Sequence, residues 1–304
     1  MDVVRLAVIV GPTGAGKSAL ALALATRVGA SIVSADSRQV YTGFDIGTAK
    51  PDASERARVP HHGIDVVPPE RRYSAAQWAS DAASWVAECR AAGRRTLIVG
   101  GTGFYLRALF EPLFEAPDLD PAARDGVDAV LSKLPISELR RWCTTLDPAR
   151  AHLGRTQLLR AIETALLTGE RLSDLHSQRT RTATTKPCYL VVDPGPALAT
   201  RLSQRIDAML RAGWLDEVQR LAAVVPDDAP AWSATGYDAL RDVIRGVRPL
   251  IEARAGIEIA TRQYAKRQRT WWRHQLGDAP VTWLNPDDPD ALERAFAWWK
   301  EDER

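Results

Sequence analysis

The sequence predicts an α/β fold in which helices cover both faces of a parallel sheet. Four short apolar segments have the composition of buried strands, at residues 6–10, 31–34, 96–99 and 188–192. Helical patterns alternate with them, at residues 18–28 and 74–92. Strands that alternate with helices indicate a parallel sheet, because a parallel pair needs a long crossover that is usually helical.

The pattern changes in the middle of the chain. From residue 115 to residue 186, helical segments such as 134–145 and 157–168 are joined by polar turns, without a convincing strand. The strand and helix pattern then resumes, with further helices at residues 196–211, 215–224 and 250–276. We therefore predict a core made of residues 1–114 and 187–304, and a mainly helical insertion domain at 115–186.

Length and composition bound the class of protein. A chain of 304 residues suits one core with an insertion, since single cores stop growing at about 250–300 residues. No apolar run approaches the roughly 20 residues that cross a bilayer, so we expect a cytoplasmic protein with no membrane contact. Cys89, Cys143 and Cys188 are too far apart to indicate a disulfide framework or a zinc site. No obligate protein partner is predicted.

The first strand runs into a motif for binding phosphate. Gly-Pro-Thr-Gly-Ala-Gly-Lys-Ser matches G-x-x-x-x-G-K-[ST] and opens a predicted helix, as that motif requires. Backbone N–H groups and the helix dipole would hold a di- or triphosphate, with Lys17 as a point charge and Ser18 as a magnesium ligand. The core is therefore predicted to be P-loop NTPase-like. The candidate residues are Gly11, Pro12, Thr13, Gly14, Ala15, Gly16, Lys17 and Ser18.

The second strand is followed by a carboxylate. Asp36 lies at the edge of the sheet where open parallel folds bind their ligands, so we expect it near the phosphates. It could coordinate magnesium, accept a proton from an attacking nucleophile, or cap a turn through its own backbone. The spacing alone does not choose among these roles.

The third strand ends in glycines. Residues 99–103 read Val-Gly-Gly-Thr-Gly where nucleotide hydrolases commonly place a second magnesium-binding aspartate, which weakens an ATPase interpretation. The glycines fit either a close approach of a chain or base, or a plain tight turn. The strand at 188–192 ends at Asp193, which is either a magnesium ligand or a simple strand end.

Positive charge is local, because the net charge of the chain is only +2. Residues 262–273 carry five cations and no carboxylate. Helical spacing predicts one stripe of Arg262, Lys266, Arg269 and Arg273, with Tyr264 and Trp271 opposite and packed on the core. Such a stripe fits a phosphodiester backbone or a solvated face about equally well.

Seven motifs together resemble one family, in order and spacing, from residue 11 to residue 271. They are Gly-Pro-Thr-x-x-Gly-Lys-Ser (11–18), Ser-Ala-Asp-Ser-Arg-Gln-Val-Tyr (34–41), Asp-Ile-Gly-Thr-Ala-Lys-Pro (45–51), His-His-Gly-Ile-Asp (61–65), Val-Gly-Gly-Thr-Gly-Phe-Tyr (99–105), Thr-Gly-Tyr (235–237) and Tyr-Ala-Lys-Arg-Gln-Arg-Thr-Trp (264–271). The chain closely resembles the bacterial tRNA dimethylallyltransferases. The resemblance implies transfer of a dimethylallyl group from dimethylallyl diphosphate to the exocyclic amine of the tRNA adenosine 3′ to the anticodon, with Mg²⁺ as cofactor and diphosphate as product.

The resemblance also implies roles for single residues. The loop at 11–18 would hold the diphosphate of the donor, and Asp36 would be the general base. One of Arg201 and Arg205, a helical turn apart, would meet the pyrophosphate, and the sequence does not fix which. Arg124 in the insertion matches a family position that touches tRNA. The other implied tRNA contacts, besides Asp36, are Ser37, Arg38, Gln39, Thr102, Arg160, Lys266, Arg267, Gln268, Arg269, Thr270, Trp271 and Arg273.

Two motifs depart from the family pattern. Residues 153–160 read Leu-Gly-Arg-Thr-Gln-Leu-Leu-Arg where members usually carry Asn-Asp-x-Gln-Arg-x-x-Arg, so only Arg160 clearly matches. Residues 235–238 read Thr-Gly-Tyr-Asp in place of the commoner Ile-Gly-Tyr-Lys, which removes a cation. Whether the altered insertion helix contacts tRNA is left open.

Three alternatives stay open beside this interpretation. An isopentenyltransferase acting on free adenylate would need neither the insertion nor the cationic helix. A small-molecule kinase would share the loop but transfer phosphoryl groups from ATP. A non-catalytic RNA-binding protein would have no use for Lys17, Ser18 and Asp36. The sequence leaves open which tRNAs are modified, the donor selectivity and the oligomeric state.

Overall fold

A computed structural model of the chain describes residues 4–111, 119–178 and 185–301. The chain forms two compact units. One takes in Met1–Glu111 and Thr184–Arg304, and the other takes in Pro112–Ala183. Within the described ranges, no helix combines the length and the apolar character that a membrane span requires.

The larger unit is built on a six-stranded sheet, and each pair of neighbouring strands in it runs parallel. Its order is β3-β2-β4-β1-β5-β6. The strands are β1 (Val4–Val10), β2 (Ser31–Ala35), β3 (His61–His62), β4 (Thr96–Gly100), β5 (Thr185–Val192) and β6 (Val281–Leu284). The predicted α/β fold with a parallel sheet is confirmed.

Helices connect and cover these strands. Ser74 and Gln77 form the capping box typical of this spacing, at the start of the third helix. In the larger unit the helices are α1 (Lys17–Val28), α2 (Ala53–Arg58), α3 (Ala75–Ala91), α4 (Gly103–Phe110), α9 (Leu198–Arg211), α10 (Trp214–Ala222), α11 (Tyr237–Ile244), α12 (Leu250–His274) and α13 (Ala291–Glu301). In the smaller unit they are α5 (Pro121–Leu131), α6 (Ile136–Leu146), α7 (Arg155–Thr168) and α8 (Leu172–Gln178).

Successive side chains of the four central strands, β1, β2, β4 and β5, enter two different cores. Val8 and Ile98 pack on the face that buries Trp78 of α3 and Trp272 of α12. Ile9, the residue after Val8, points to the opposite face of the sheet, where α1 and α13 pack. Because both faces are covered, the buried parts of β1, β4 and β5 are apolar on both faces rather than alternating, as their sequences indicate.

The C-terminal region holds two elements that the sequence analysis did not predict. β6 pairs with β5 and is only four residues long, with mostly solvated side chains, so no apolar run marks it. α13 lies in a net acidic segment, yet it buries Trp298 and Trp299 on the core.

The smaller unit has a core of its own. Leu139 and Cys143 of α6 pack against Leu158 and Ile162 of α7. Arg155, which lies in the segment where the family motif departs, donates to the carbonyl oxygen of Leu134 at 2.7 Å and to that of Ser132. This arginine therefore satisfies backbone carbonyls near the end of α5.

Candidate active site

The loop at residues 11–18, here called the phosphate loop, joins β1 to α1 and takes its shape from glycines. A Cβ on Gly11 would lie 2.1 Å from the carbonyl oxygen of Val192 on β5, so only glycine fits between these strands. Gly16 has a φ of 90° and precedes the first residue of α1. The amide of Ala15 donates to the carbonyl of Pro12 at 3.2 Å, which closes the turn. The strand, glycine loop and helix therefore follow one another as the motif predicts.

Lys17 folds back over this loop. Its Nζ donates to the carbonyl oxygen of Pro12 at 2.8 Å. Burial and, second to it, the charge of Arg205 lower the pKa of Lys17 to about 7, although the charge of Asp36 acts in the opposite direction. An anion bound at the loop would favour the charged ammonium, because an opposite charge nearby stabilises it.

The two arginines of α9 both lie beside the phosphate loop, in different surroundings. Arg205 places Nη1 3.3 Å from the hydroxyl oxygen of Thr13, and burial lowers its pKa while the charge of Asp36 raises it. Arg201 lies next to Gly16, and its guanidinium is paired with Asp287. Of the two, Arg205 is the cation that faces the loop and has no carboxylate partner among the described residues.

Residues 36–50 form a second loop, the Asp36 loop, after β2. Oδ1 of Asp36 accepts a hydrogen bond from the amide of Arg38 at 2.8 Å, which confirms the turn-capping role that its spacing allowed. The charge of the same carboxylate partly offsets the lowering of the pKa values of Lys17 and Arg205 that burial causes. Asp36 therefore does more than cap a turn, since its charge acts directly on the cations of the phosphate loop.

Thr102 and Tyr264 lie beside Asp36. The hydroxyl oxygen of Thr102 accepts from the amide of Ser37 at 3.1 Å, and the amide of Thr102 donates to the carbonyl of Ala35 at 3.1 Å. Tyr264 was expected on the core, but it is only half-buried and shares a hydrogen bond with the Thr102 side chain. Burial, followed by the charge of Asp36, raises the pKa of Tyr264 to about 12. A neutral phenol therefore adjoins the carboxylate, which the helical spacing did not indicate.

Long polar side chains hold the Asp36 loop in place. Gln39 accepts from the hydroxyl of Ser34 at 2.8 Å and donates to the carbonyl oxygens of Thr48 and Ala49. The Lys50 side chain is 1% exposed and donates to the carbonyl of Tyr41 at 2.6 Å. Two carboxylates complete its contacts, those of Asp45 and Asp65. Gln39, implied as a tRNA contact, is thus bonded within its own loop.

Glu217 is a site-supporting residue that sequence analysis missed. It is 3% exposed, and its Oε2 accepts from the amides of Asp45 at 3.2 Å and Ile46 at 2.8 Å. Its Oε1 accepts from the hydroxyl of Tyr237 at 2.6 Å, and the same hydroxyl accepts from the amide of Gly47. A single glutamate in an ordinary amphipathic helix gave no signal, because its partners lie about 170 residues away in the chain.

Two arginines of the cationic stripe of α12 are paired with carboxylates. Arg262 pairs with Glu258 at 2.5 Å. Arg269 donates to both carboxylate oxygens of Asp193, at 2.9 Å and 2.5 Å, so this aspartate anchors a helix beyond its strand end. Residues 262–273 contain no carboxylate, but these two arginines are paired because their partners lie outside that segment. The implied RNA contacts of α12 that remain exposed are Lys266, Arg267, Thr270 and Arg273.

The other implied contacts have separate surroundings. Trp271 packs against the main core and lies 5.2 Å, between ring centroids, from Phe104, which is 63% exposed. Arg38 donates from Nη1 to the hydroxyl of Ser233 at 2.6 Å. Arg124 and Arg160 belong to the smaller unit, where Arg124 pairs with Glu163 at 2.6 Å and Arg160 is exposed. The larger unit thus brings together the phosphate loop, the Asp36 loop and α12.

Comparisons with known proteins agree with this arrangement. The family model described as IPP transferase matches residues 39–275, and that described as Isopentenyl transferase matches residues 4–60. A tRNA dimethylallyltransferase from Anaeromyxobacter sp. (strain K) is 40% identical over 297 residues, which covers 95% of this chain and 96% of the relative. One from Deinococcus radiodurans is 40% identical over 296 residues, 95% of each chain.

Solved structures also match this chain over nearly its full length. The tRNA isopentenylpyrophosphate transferase of Bacillus halodurans superposes with a TM-score of 0.71 at 29% identity, over 99% of this chain and 97% of that one. A eukaryotic dimethylallyltransferase acting on tRNA superposes with a TM-score of 0.82 at 25% identity, over 97% and 78%. Fold and loop motif define an α/β protein of the P-loop class. The chain belongs to the IPP transferase family, and the resemblance that its motifs indicate is confirmed.

Proposed function

We propose that this protein transfers a dimethylallyl group from dimethylallyl diphosphate to the exocyclic amine of an adenosine in tRNA. The observation that carries the proposal is the meeting of two chemistries in one compact unit. Cations of the phosphate loop, Lys17 and the adjoining Arg205, would hold a diphosphate, and the Asp36 carboxylate lies close enough to shift the pKa of both. The names of the relatives, which are tRNA dimethylallyltransferases, support the same reaction.

The donor must be activated through its leaving group. An exocyclic adenine amine is a weak nucleophile, because its lone pair is delocalised into the ring. Cleavage of the carbon–oxygen bond becomes easier when the charge that develops on the diphosphate is neutralised, which Lys17 and Arg205 would do at the phosphate loop. Of the two arginines on α9, Arg205 is the better placed, since Asp287 already pairs with Arg201.

Magnesium fits this site through the substrate rather than through a protein cage. Ser18 lies in the first turn of α1, at the end of the phosphate loop. Its side chain is exposed, as a magnesium ligand of such a loop must be. The described residues contain no cluster of three or more His, Cys, Asp or Glu side chains that could hold a metal ion. Ser18, the diphosphate oxygens and water would therefore complete the shell, and the bound ion would supply further charge neutralisation.

Asp36 is the proposed general base. A carboxylate is too weak to deprotonate an aromatic amine beforehand, but it can take the proton as the new carbon–nitrogen bond forms. The turn made with the Arg38 amide engages one carboxylate oxygen and orients the group. Tyr264 and Thr102 adjoin it and could hold the edge of the adenine, since both carry neutral donors.

RNA contacts would come from both units. The exposed side chains of α12 in the larger unit, and Arg124 and Arg160 in the insertion domain of residues 115–186, would bind phosphates. An adenine in a stacked anticodon loop cannot reach Asp36, so the target base would have to leave the stack. The adenosine 3′ to the anticodon is the proposed target, and a cytoplasmic location follows from this substrate.

The test is incubation of purified protein and Mg²⁺ with labelled dimethylallyl diphosphate, with unmodified tRNA, AMP and ATP as separate acceptors. We expect label in tRNA alone. Label in AMP would assign the chain to the transferases of free nucleotides, and turnover of ATP without label transfer would assign it to the kinases.

The matched control is Asp36→Asn, which keeps the oxygen that accepts from the Arg38 amide. Transfer to tRNA should fall by about 10²–10⁴, the usual contribution of a general base, while the affinity for inorganic diphosphate stays within about twofold. Full activity in this variant would remove Asp36 from the chemistry.

A further inference from the structure

Gln268 of α12 is a buried polar side chain with both ends of its amide engaged. It is 6% exposed. Oε1 accepts from the backbone amide of Thr13 at 2.8 Å, and Nε2 donates to the carbonyl oxygen of Gly101 at 2.8 Å. One side chain therefore connects the phosphate loop with the glycine turn that follows β4.

The glycine turn is shaped to receive this helix. A Cβ on Gly101 would lie 2.3 Å from Nε2 of Gln268, and a Cβ on Gly103 would lie 2.3 Å from the indole of Trp271. Both glycines thus leave room for side chains of α12. This answers the question that the sequence left open for the turn, because the close approach is made by the protein's own helix.

The next residue fixes α12 from another side. Arg269 donates to both oxygens of Asp193 and to the carbonyl of Gly195 at 2.6 Å. Gln268 and Arg269 therefore anchor one turn of the helix to the segments that follow β1, β4 and β5. Gln268 has little freedom to move, because each end of its amide is already bonded to a backbone group of the protein.

The two residues before Gln268 are exposed to solvent. Arg267 and Lys266 are exposed, while Gln268 between Arg267 and Arg269 is buried. The family resemblance implies RNA contact for the whole segment, but burial separates its members into two groups.

We propose that Gln268 is a positioning residue, which fixes Thr13 and thereby holds the phosphate loop in its diphosphate-binding form, and that it does not contact RNA. The inference rests on the proposed function only in taking the ligand of the loop to be a diphosphate. Thr13 has two such contacts, from its amide to Gln268 and from its hydroxyl to Arg205 of α9. Loss of the Gln268 contact would therefore loosen the phosphate loop next to Arg205.

The test compares Gln268→Met, which keeps the length of the side chain without its hydrogen bonds, with Lys266→Met on the exposed face. Dissociation constants are measured by calorimetry for inorganic diphosphate with Mg²⁺ and, separately at fixed salt, for unmodified tRNA. We expect Gln268→Met to weaken diphosphate binding about tenfold, the size expected for one or two lost hydrogen bonds, with tRNA binding changed less than about twofold. Lys266→Met should show the reverse pattern.

Gly101→Ala tests the same bridge from its other end, because the added Cβ would displace the Gln268 amide. It should weaken diphosphate binding to a similar degree, and the double variant should be no weaker than either single one, since both remove the same contact. A tenfold loss of tRNA affinity in Gln268→Met with unchanged diphosphate binding would overturn the proposal, as would additive effects or no effect on diphosphate. Both assays measure binding alone, so they remain decisive even if the protein were to transfer no prenyl group.

Discussion

The phosphate loop and the Asp36 loop follow strands of one sheet, β1 and β2, with β4 between them, but they are held in different ways. The phosphate loop takes its shape from glycines within eight consecutive residues, as at Gly11 and Gly16. The Asp36 loop takes its shape from side chains that reach into it, above all Lys50 and Glu217. The phosphate loop therefore depends on backbone conformation, whereas the Asp36 loop depends on buried polar contacts. Substitutions in the two loops should accordingly have different effects on stability and on ligand binding.

Lys50→Met gives the largest expected effect on the Asp36 loop. The substitution removes a side chain that is 1% exposed and leaves Asp45 and Asp65 without their shared cation. We expect the free energy of unfolding to fall by about 2–3 kcal/mol, somewhat less than for a fully buried pair, because both carboxylates are partly solvated. Denaturant titration measures this.

The control for Lys50→Met is Arg107→Met, which breaks the exposed pair of Arg107 with Glu111. The expected loss there is below about 0.5 kcal/mol. Equal losses in the two variants would show that Lys50 is no more important than a surface cation, and the contrast between the two loops would disappear.

Arg205→Gln and Arg201→Gln sharpen the comparison on the side of the phosphate loop. Arg205 faces Thr13, whereas Arg201 is held by Asp287. We expect the KM for dimethylallyl diphosphate to rise about 30-fold in Arg205→Gln, as for the loss of one charged hydrogen bond, and less than about threefold in Arg201→Gln. Steady-state kinetics at saturating tRNA measure both, and a larger effect in Arg201→Gln would exchange the two roles.

A pH series tests Lys17. Burial lowers its pKa to about 7 in the free protein, so above this pH the side chain is mostly neutral. Bound diphosphate favours the charged form, so binding must take up a proton, and the affinity should fall as pH rises, by at most about tenfold per pH unit. Calorimetry at pH 8 in two buffers of different ionisation enthalpy should detect the uptake of nearly one proton.

Lys17→Arg is the control for this series, since arginine stays charged at every pH used. The titration of diphosphate itself is common to both proteins, so the difference between their profiles isolates residue 17. Identical proton uptake in the two proteins would contradict a lowered pKa for Lys17.

The same contrast explains what the sequence could predict. The phosphate loop could be located because its cause is local, and the place of Asp36 at a strand end followed from the parallel sheet. The support of the Asp36 loop could not, since Glu217 lies 171 residues from the amide of Ile46 that it binds. The pairing of Arg269 could not be predicted for the same reason, because Asp193 lies 76 residues from it in the chain. A local sequence pattern reveals a site whose shape comes from its backbone. Which side chains remain unpaired depends on partners far away in the chain, which the pattern does not show.

Tyr105→Phe gives the smallest expected effect and tests whether every polar group behind the Asp36 loop is needed. The ring of Tyr105 stacks on Trp78 with centroids 4.8 Å apart, and phenylalanine preserves this contact. Its hydroxyl is buried without a hydrogen-bond partner among the described residues, which costs free energy in the folded state. The substitution should therefore leave the free energy of unfolding unchanged or raise it by up to about 1 kcal/mol. A loss above about 1 kcal/mol in denaturant titration would mean that the hydroxyl has a bonded partner such as a buried water, and that the support of the Asp36 loop extends to α4.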